Sequence, residues 1–306
     1  MHLDIVAVGE PMIEFNQTGG AGSTSYLQGF GGDTSNFAIA AARQGARAGV
    51  VTALGDDVHG GMLRDLWASE GVDASRVKSD PTAPTGIYFV THDESGHHFT
   101  FFRSGSAASR MTPADVPADY IASARALHVS GISFAISSQA CDAAYAAVEI
   151  AREAGRMVTF DTNLRLRLWS KDRARAIILD MMSRCDVCLP SLDDVTLLTG
   201  IEDADELVDY ALGRGAKIVA LKLGREGALV ADANERHRIA PLRVDAVDAT
   251  GAGDTFGGAF VARLLQGDGL EAAGRYAAAA AALSTTGYGA VDPIPTAEAV
   301  IEAMGD

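Results

Sequence analysis

A chain of 306 residues, 48% hydrophobic and 21% charged, is long enough for one large α/β domain or two smaller ones, with the composition of a soluble globular protein. Its net charge of -15 argues against nucleic acid and against anionic membrane surfaces as partners. A phosphate site in such a chain has to be local, built from backbone N–H groups and a few basic side chains.

The opening MHLDIVAVGE has no basic stretch and too short an apolar run for a signal peptide. No run of about 18 apolar residues follows, so a cytoplasmic protein without a membrane span is expected. Leu3 to Val8 reads as a buried strand ending in Gly9-Glu10-Pro11. Met12 to Gln28 alternates weakly around GGAGSTS and reads as short strands with a loop. In GFGGDTSNFAIAAARQGA, Gly31 and Gly32 make a tight turn, Asp33 or Thr34 can cap, Phe37 to Arg43 is helical and Gly45 stops it. Ala48 to Leu54 reads as a further buried strand and Met62 to Glu70 as an amphipathic helix.

The period then changes. GIYFVTHDESGHHFTFFRSGSA reads as two β runs about Asp93-Glu94-Ser95-Gly96, an inserted flap. His92, His97 and His98 gather at its turn, as a metal site or as solvated turn residues. From Ala126 onward strands alternate with helices. Strands are expected at Leu127 to Ser130, Met157 to Asp161, Val187 to Pro190 and Lys217 to Leu223. Helices are expected at Ser137 to Ala154, Lys171 to Ser183, Asp193 to Leu198 and Asp205 to Leu212. A hairpin over Ala228 to Ala240 precedes helices at Ala252 to Leu265, Leu270 to Thr285 and Ala297 to Met304. Three cysteines give no disulfide framework, and the CxxC of Cys185 and Cys188 lies in a short strand, where positions three apart face opposite ways. Repeated βα units imply a mainly parallel sheet with helices on both faces and ligands at the carboxyl ends of the strands. No linker or repeat interrupts the chain, so one α/β domain with a flap over about residues 10–30 and 84–106 is expected.

The chemistry concentrates in DATGAGDTFGGAF, Asp248 to Phe260. Glycines at 251, 253, 257 and 258 surround Asp254 and feed an apolar helix. The first N–H groups of a helix have no intrahelical partner and form an anion site. A carboxylate there repels phosphate unless it serves as a base, which phosphoryl transfer to a hydroxyl requires. The alternative is a glycine-rich connection with Asp254 as a helix cap. DTNLRLRLW (Asp161, Asn163, Arg165, Arg167) and KLGREG (Lys222, Gly224, Gly227) also follow strands and fall on the same edge. Arginine there suits a phosphate or carboxylate. No G-x-x-x-x-G-K-[ST] occurs, which excludes a P-loop enzyme, and no G-x-G-x-x-G follows the first strand.

These stretches resemble the PfkB, or ribokinase-like, family of carbohydrate kinases over nearly the whole chain. GGDTSNFAIAAARQG is similar to its N-terminal glycine signature and DATGAGDTFGGAF to its C-terminal one. FDTNLRLRLW, FFRSGSAAS and STTGYGAVDPIP resemble the 2-keto-3-deoxygluconate kinase branch. The resemblance implies a central sheet flanked by helices with a small β lid, ATP as donor, Mg²⁺, and phosphorylation of a primary hydroxyl. It implies Asp254 as general base and Gly251, Ala252 and Gly253 as an anion hole for the moving phosphoryl. Gly32, Asp33 and Asn36 would bind the sugar, with Tyr88, Phe101 and Arg103 meeting it from the lid. Arg165 would bridge sugar and nucleotide. Asn163, Ser191, Lys222, Gly224, Gly227, Ala279 and Ala282 would line ATP, with Asp292 nearby. The family's Asn-x-x-Glu is matched by Ser191-Leu192-Asp193-Asp194, which leaves Asp194 as the expected metal ligand. Phe101 and Phe102 stand where relatives in that branch often carry tyrosines. An acid sugar needs a cationic partner, for which Arg103 and Arg165 are the candidates; their bland reading is ion pairing to the chain's many acids. A neutral-sugar or nucleoside kinase and a non-catalytic sugar-binding regulator are the other readings. The open edge of the lid predicts a homo-oligomer.

Overall fold

Short β-branched runs buried on both faces and alanine-rich runs with a helical period alternate along the chain, and each becomes the element its period favours. The computed structural model describes residues 2–20, 22–93 and 96–305. The first part holds β1 (Ile5–Val8), β2 (Met12–Thr18), β3 (Ser25–Gly31), α1 (Asp33–Arg43), β4 (Ala48–Val51), β5 (Ala53–Gly55), α2 (Val58–Ser69), β6 (Lys78–Asp80), β7 (Ile87–Asp93) and β8 (Gly96–Phe102). The middle holds α3 (Ala118–Ser123), β9 (Ala126–Ser130), α4 (Gly131–Ala135), α5 (Ser138–Glu153), β10 (Met157–Asp161), α6 (Lys171–Arg184), β11 (Val187–Leu189) and α7 (Leu192–Thr199). The remainder holds α8 (Ala204–Arg214), β12 (Ile218–Lys222), β13 (Ala228–Ala231), β14 (Arg236–Ile239), α9 (Ala252–Gln266), α10 (Leu270–Ser284) and α11 (Ala297–Met304).

The large sheet runs β14-β13-β12-β11-β10-β9-β1-β4, parallel from β4 to β12, with β13 and β14 antiparallel at one edge. In its centre Asp161 pairs with Ser130 on one side and Leu189 on the other, so the polar strand ends lie level. One face is covered by a core containing Phe134, Phe160, Trp169 and Met182, the other by Phe37, Trp67, Phe256 and Phe260. Each fully buried side chain of this size stabilises by roughly 1.5–3 kcal/mol. Cys185 and Cys188 lie in the first of these cores as free thiols.

A second sheet, β3-β2-β7-β8, forms the lid. Its outer face stacks Phe15 on Phe89, with Tyr26 and Phe102 edge-on to Phe89. The flap histidines are absorbed locally: His92 Nε2 meets Asn16 Oδ1 at 2.8 Å and His98 Nε2 meets Asp93 Oδ1 at 2.9 Å. Glu94, Ser95 and the His97 side chain lie outside the described residues. No helix of the described residues is long and apolar enough to cross a membrane.

Three expectations need correction. The CxxC does not lie in one strand with its members facing opposite ways: Cys185 is the C-cap of α6, ahead of β11, and shares a core with Cys188. Ala48 to Leu54 is not one strand. β4 stops at Val51 and β5 leaves the large sheet to pair with β6, drawn away where Thr52 O accepts Lys78 N at 3.0 Å. Neither Asp33 nor Thr34 caps α1, because the helix begins at Asp33 and its N-cap is Gly32. At the other end of α1, Gln44 Nε2 donates to Pro295 O at 2.8 Å, and Arg43 pairs with Glu70 while donating to the Val291, Asp292 and Ile294 carbonyls. Trp67 on α2 donates from Nε1 to Ser35 Oγ, 2.9 Å, fixing the first turn of α1.

Candidate active site

The site is made where α9 meets α1. Asp248 Oδ1 accepts from Thr250 N (2.9 Å) and Thr250 Oγ1 (2.7 Å), and its Oδ2 accepts from Gly289 N at 3.0 Å, which folds the turn before the helix. Gly251 is the N-cap of α9, and no side chain caps the first turn. Ala252 N is turned onto Ala249 O at 3.2 Å. The Gly251, Gly253 and Asp254 amides have no acceptor among the described residues, so they and the helix dipole form an anion site.

Gly258 lets the two helices approach, since a Cβ there would lie 2.5 Å from Phe37 O. The approach puts Asn36 Nδ2 2.8 Å from Asp254 Oδ2. Asn36 Oδ1 is buried with no hydrogen-bond partner, an orphan acceptor beside the carboxylate. Burial, and then the charge of Asp33, push the Asp254 carboxyl up to about 8, against the lowering effect of Asn36. Asp33 is also raised, chiefly by burial. Asn163, the one non-glycine residue with positive φ (28°) among those described, donates from its backbone to Asp161 Oδ1 at 3.1 Å and from Nδ2 to Asp33 Oδ2 at 3.0 Å. Asn163 was expected on ATP; its side-chain amide here holds Asp33.

Gly32 joins lid to body. Its φ is 106°, and a Cβ would meet Glu10 O at 2.5 Å, so the turn between β3 and α1 admits no side chain. Above it, the Tyr88 hydroxyl donates to buried Glu14, whose carboxyl burial pushes up. Arg103 donates from Nε to Glu10 Oε2 at 2.6 Å, and Ser106 Oγ donates to Glu10 Oε1 at 2.5 Å. The bland reading of Arg103 is therefore realised: its charge is balanced by a fully buried acid. Arg165 and Arg167 are exposed and form no ion pair among the described residues; they donate to Leu164 O (2.9 Å) and to Phe99 O of the lid (3.3 Å). Trp169 ends this loop with its indole buried and Nε1 unpartnered.

A cavity of about 170 Å³ brings together Gly32, Asp33, Asn36, Tyr88, Phe101, Arg103, Asn163, Arg165, Gly251 and Asp254. It also takes in Arg167, named with the arginine segment, and Glu10, Thr250 and Ala290, to which the sequence reading gave no part in the site. Glu10 was signalled only as an acid at the end of a buried strand. Arg167 stood in the quoted arginine segment without a role. Lys222 and Ser191 lie deeper, joined by a β-bridge, and Lys222 Nζ meets Asp161 Oδ2 at 2.5 Å. Asp194 Oδ2 accepts from Leu164 N at 3.0 Å and Thr162 Oγ1 at 3.4 Å. No three ligating side chains gather as a metal site among the described residues. Gly224 is exposed at a turn, Gly227 sits against Ile239 O, and Ala279 and Ala282 lie on α10, the first buried and the second partly so. Asp292 is exposed, and its carbonyl accepts from Arg43.

An uncapped helix end, a held carboxylate and a lidded polar cavity at the carboxyl edge of a parallel sheet are the parts that phosphoryl transfer to a hydroxyl requires. The chain belongs to the pfkB family of carbohydrate kinases, whose family model matches residues 2–297. It is 37% identical to the 2-dehydro-3-deoxygluconokinase of Thermoproteus tenax over 99% of this chain and 95% of that protein. It is 35% identical to the probable fructokinase-4 of Arabidopsis thaliana over 95% and 94%. The crystal structure of a putative ribokinase II from E. coli, in complex with ATP and Mg²⁺, superposes with a TM-score of 0.92 at 26% identity over 99% of each chain.

Proposed function

We propose that this carbohydrate kinase transfers the γ-phosphoryl of ATP to the terminal hydroxyl of a sugar acid, 2-keto-3-deoxygluconate, giving 2-keto-3-deoxy-6-phosphogluconate. The observation that carries the reading is Asp254, held by Asn36 beside an orphan acceptor and under free helix amides. The acceptor hydroxyl docks between Asn36 Oδ1 and Asp254. Its oxygen attacks the γ-phosphorus in line, Asp254 accepts its proton, and the bond to ADP breaks. The Gly251 and Gly253 amides offset the charge on the moving phosphoryl. Ala252, whose amide is already turned inward, contributes less. Asp194, whose Oδ2 accepts from Leu164 N and Thr162 Oγ1, would hold the water shell of the Mg²⁺ that accompanies ATP, and the ion would supply positive charge against the phosphates. Gly224, Gly227, Ala279 and Ala282 take the nucleoside end.

The acid group of the sugar is met by Arg165, whose guanidinium is hydrogen-bonded only to Leu164 O among the described residues, although Asp33 and Asp194 lie within its electrostatic reach, with Arg167 beside it. A second reading, phosphorylation of a neutral sugar such as fructose, is favoured by one observation: Arg103 is neutralised by Glu10. ATP consumption across 2-keto-3-deoxygluconate, its galactonate epimer, fructose, ribose and adenosine separates the two. Selective turnover of the keto-deoxy acids supports the first; preference for fructose overturns it and keeps Asp254. The lid carries the proposed contact between copies, since Tyr26, Leu27 and Phe102 are exposed on it and β3 and β8 are open edges. A monomer by light scattering discards that contact.

A further inference from the structure

Lys222 closes β12 and Asp161 closes β10, with β11 between them in the sheet. Their side chains reach across the end of β11 and meet at 2.5 Å, with only 13% and 5% of their surfaces exposed. Lys222 N is fixed by Pro190 O at 2.8 Å. A Cβ on Gly253 would lie 3.5 Å from Lys222 Nζ, so the ammonium sits directly beneath the first turn of α9. The other oxygen of Asp161 accepts from Asn163 N, whose side chain holds Asp33. The pair thus underpins both the anion site and the sugar-side acid.

The charges facing this point are unequal. Asp33 from α1 and Asp161 from β10 face Asp254, Tyr88 faces it from the lid, and Asp194 from α7 faces Asp161 and Lys222. His128 of β9 is buried, stacked on Phe37, and held neutral; burial, and then Lys222, push it down to about 3. The Cys188 thiol of β11 is pushed up and also neutral. Arg165 is at the exposed rim. Lys222 is the buried cation among these groups.

We propose that Lys222 is a positioning residue for phosphoryl transfer: locked by Asp161 under α9, it supplies a largely buried positive charge that favours the ionised form of Asp254 against its acidic neighbours and backs the anion site, without touching the nucleotide. This rests on Asp254 being the base. It replaces the expectation that Lys222 lines ATP, because its ammonium is spent on Asp161. Buried pairs of this kind are costly when one partner is removed, since the other charge is stranded.

The test is the pH profile of kcat/KM, with ATP and 2-keto-3-deoxygluconate, or with whichever panel sugar is turned over, in Lys222→Met, Asp161→Asn and the double variant. Lys222→Met leaves Asp161 unpaired beside Asp254, so the acid limb moves up by about one pH unit or more while KM for ATP stays within about 2-fold. Asp161→Asn frees the lysine charge and moves the limb down. The double variant returns it toward the parent. Lys222→Arg restores the parent limb in part. If Lys222→Met does not fold, Asp161→Asn alone decides, by a limb that moves down or stays. An unmoved limb, or a large rise in KM for ATP with no movement, overturns the proposal. Asp254→Asn separates the underlying reading: if that variant still turns over, the base assignment fails first, whereas an inactive Asp254→Asn with unmoved limbs in the others condemns the lysine alone.

Discussion

The two edges of the large sheet each bear a cavity, and the larger one is not the site. At the amino edge about 460 Å³ is lined by Arg152, Arg156, Asp186 and Lys217, against about 170 Å³ at the carboxyl edge. The amino-edge charges are largely answered by neighbours: Lys217 pairs with Asp186 at 2.7 Å and Arg152 donates to Arg184 O at the end of α6. Arg152 thereby satisfies a carbonyl at a helix end, while Arg156 Nε is buried without a hydrogen-bond partner. At the carboxyl edge the polar groups are left wanting. Helices α2, α5, α6, α8 and α11 begin on side-chain caps, whereas α1 and α9, which aim at the cavity, begin on bare glycine, as does α10, whose first turn does not line it. Size measures empty space; unmet hydrogen bonds and a misplaced proton mark chemistry.

The contrast breaks most sharply at Asp254. Asp254→Asn is expected to keep ATP binding and lose roughly 10²–10⁴-fold in kcat. Near-normal turnover in that variant would refute the role. At the rim, Arg165→Ala is expected to raise KM for an acid sugar by roughly 10–100-fold, the value of a charge-assisted pair, and to leave that for fructose nearly unchanged. Equal effects on both sugars remove Arg165 as the carboxylate partner.

The pH dependence follows from the raised carboxyl. Only ionised Asp254 accepts a proton, so kcat/KM should climb with pH toward about 8 and then level. The same shift lowers stability as pH rises from the carboxyl's ordinary value through about 8, because the folded state retains a proton that the unfolded chain has released. Asp254→Asn should therefore melt higher than the parent at pH 8 and by little at pH 4, which calorimetry reads. The smallest effect belongs to the amino edge, where Arg156→Ala and Lys217→Ala should leave kcat and both KM values within about 2-fold. A larger change there would give the wider cavity a role.

Much of this was readable beforehand, and for physical reasons. Helices such as Lys171–Arg184 and Ala297–Met304 announce themselves by period and cap, and the strand Met157–Asp161 by its uninterrupted burial. The glycines around Asp254 pointed to an anion site because few other uses require them in that number. What stayed hidden was partnership. Nothing in the chain order brings Glu10 to Arg103, ninety-three positions away, or Asp161 to Lys222, sixty-one away. Residue type marked the arginines and the lysine as candidates, but only the fold shows which of these charges are already paired. The break at Thr52 was hidden for the same reason, since the strand that draws β5 away lies at Lys78 to Asp80.

The chain has two tryptophans, and each is tied to a segment that lines this cavity without lining it itself. Trp67 is hydrogen-bonded to Ser35 on the turn that carries Asp33 and Asn36, while Trp169 closes the loop that carries Arg165 and Arg167. Intrinsic fluorescence is thus a label-free optical readout of occupancy, with no background from remote indoles. Replacing either tryptophan with phenylalanine splits the signal into one reporter for the sugar-hydroxyl end and one for the arginine loop.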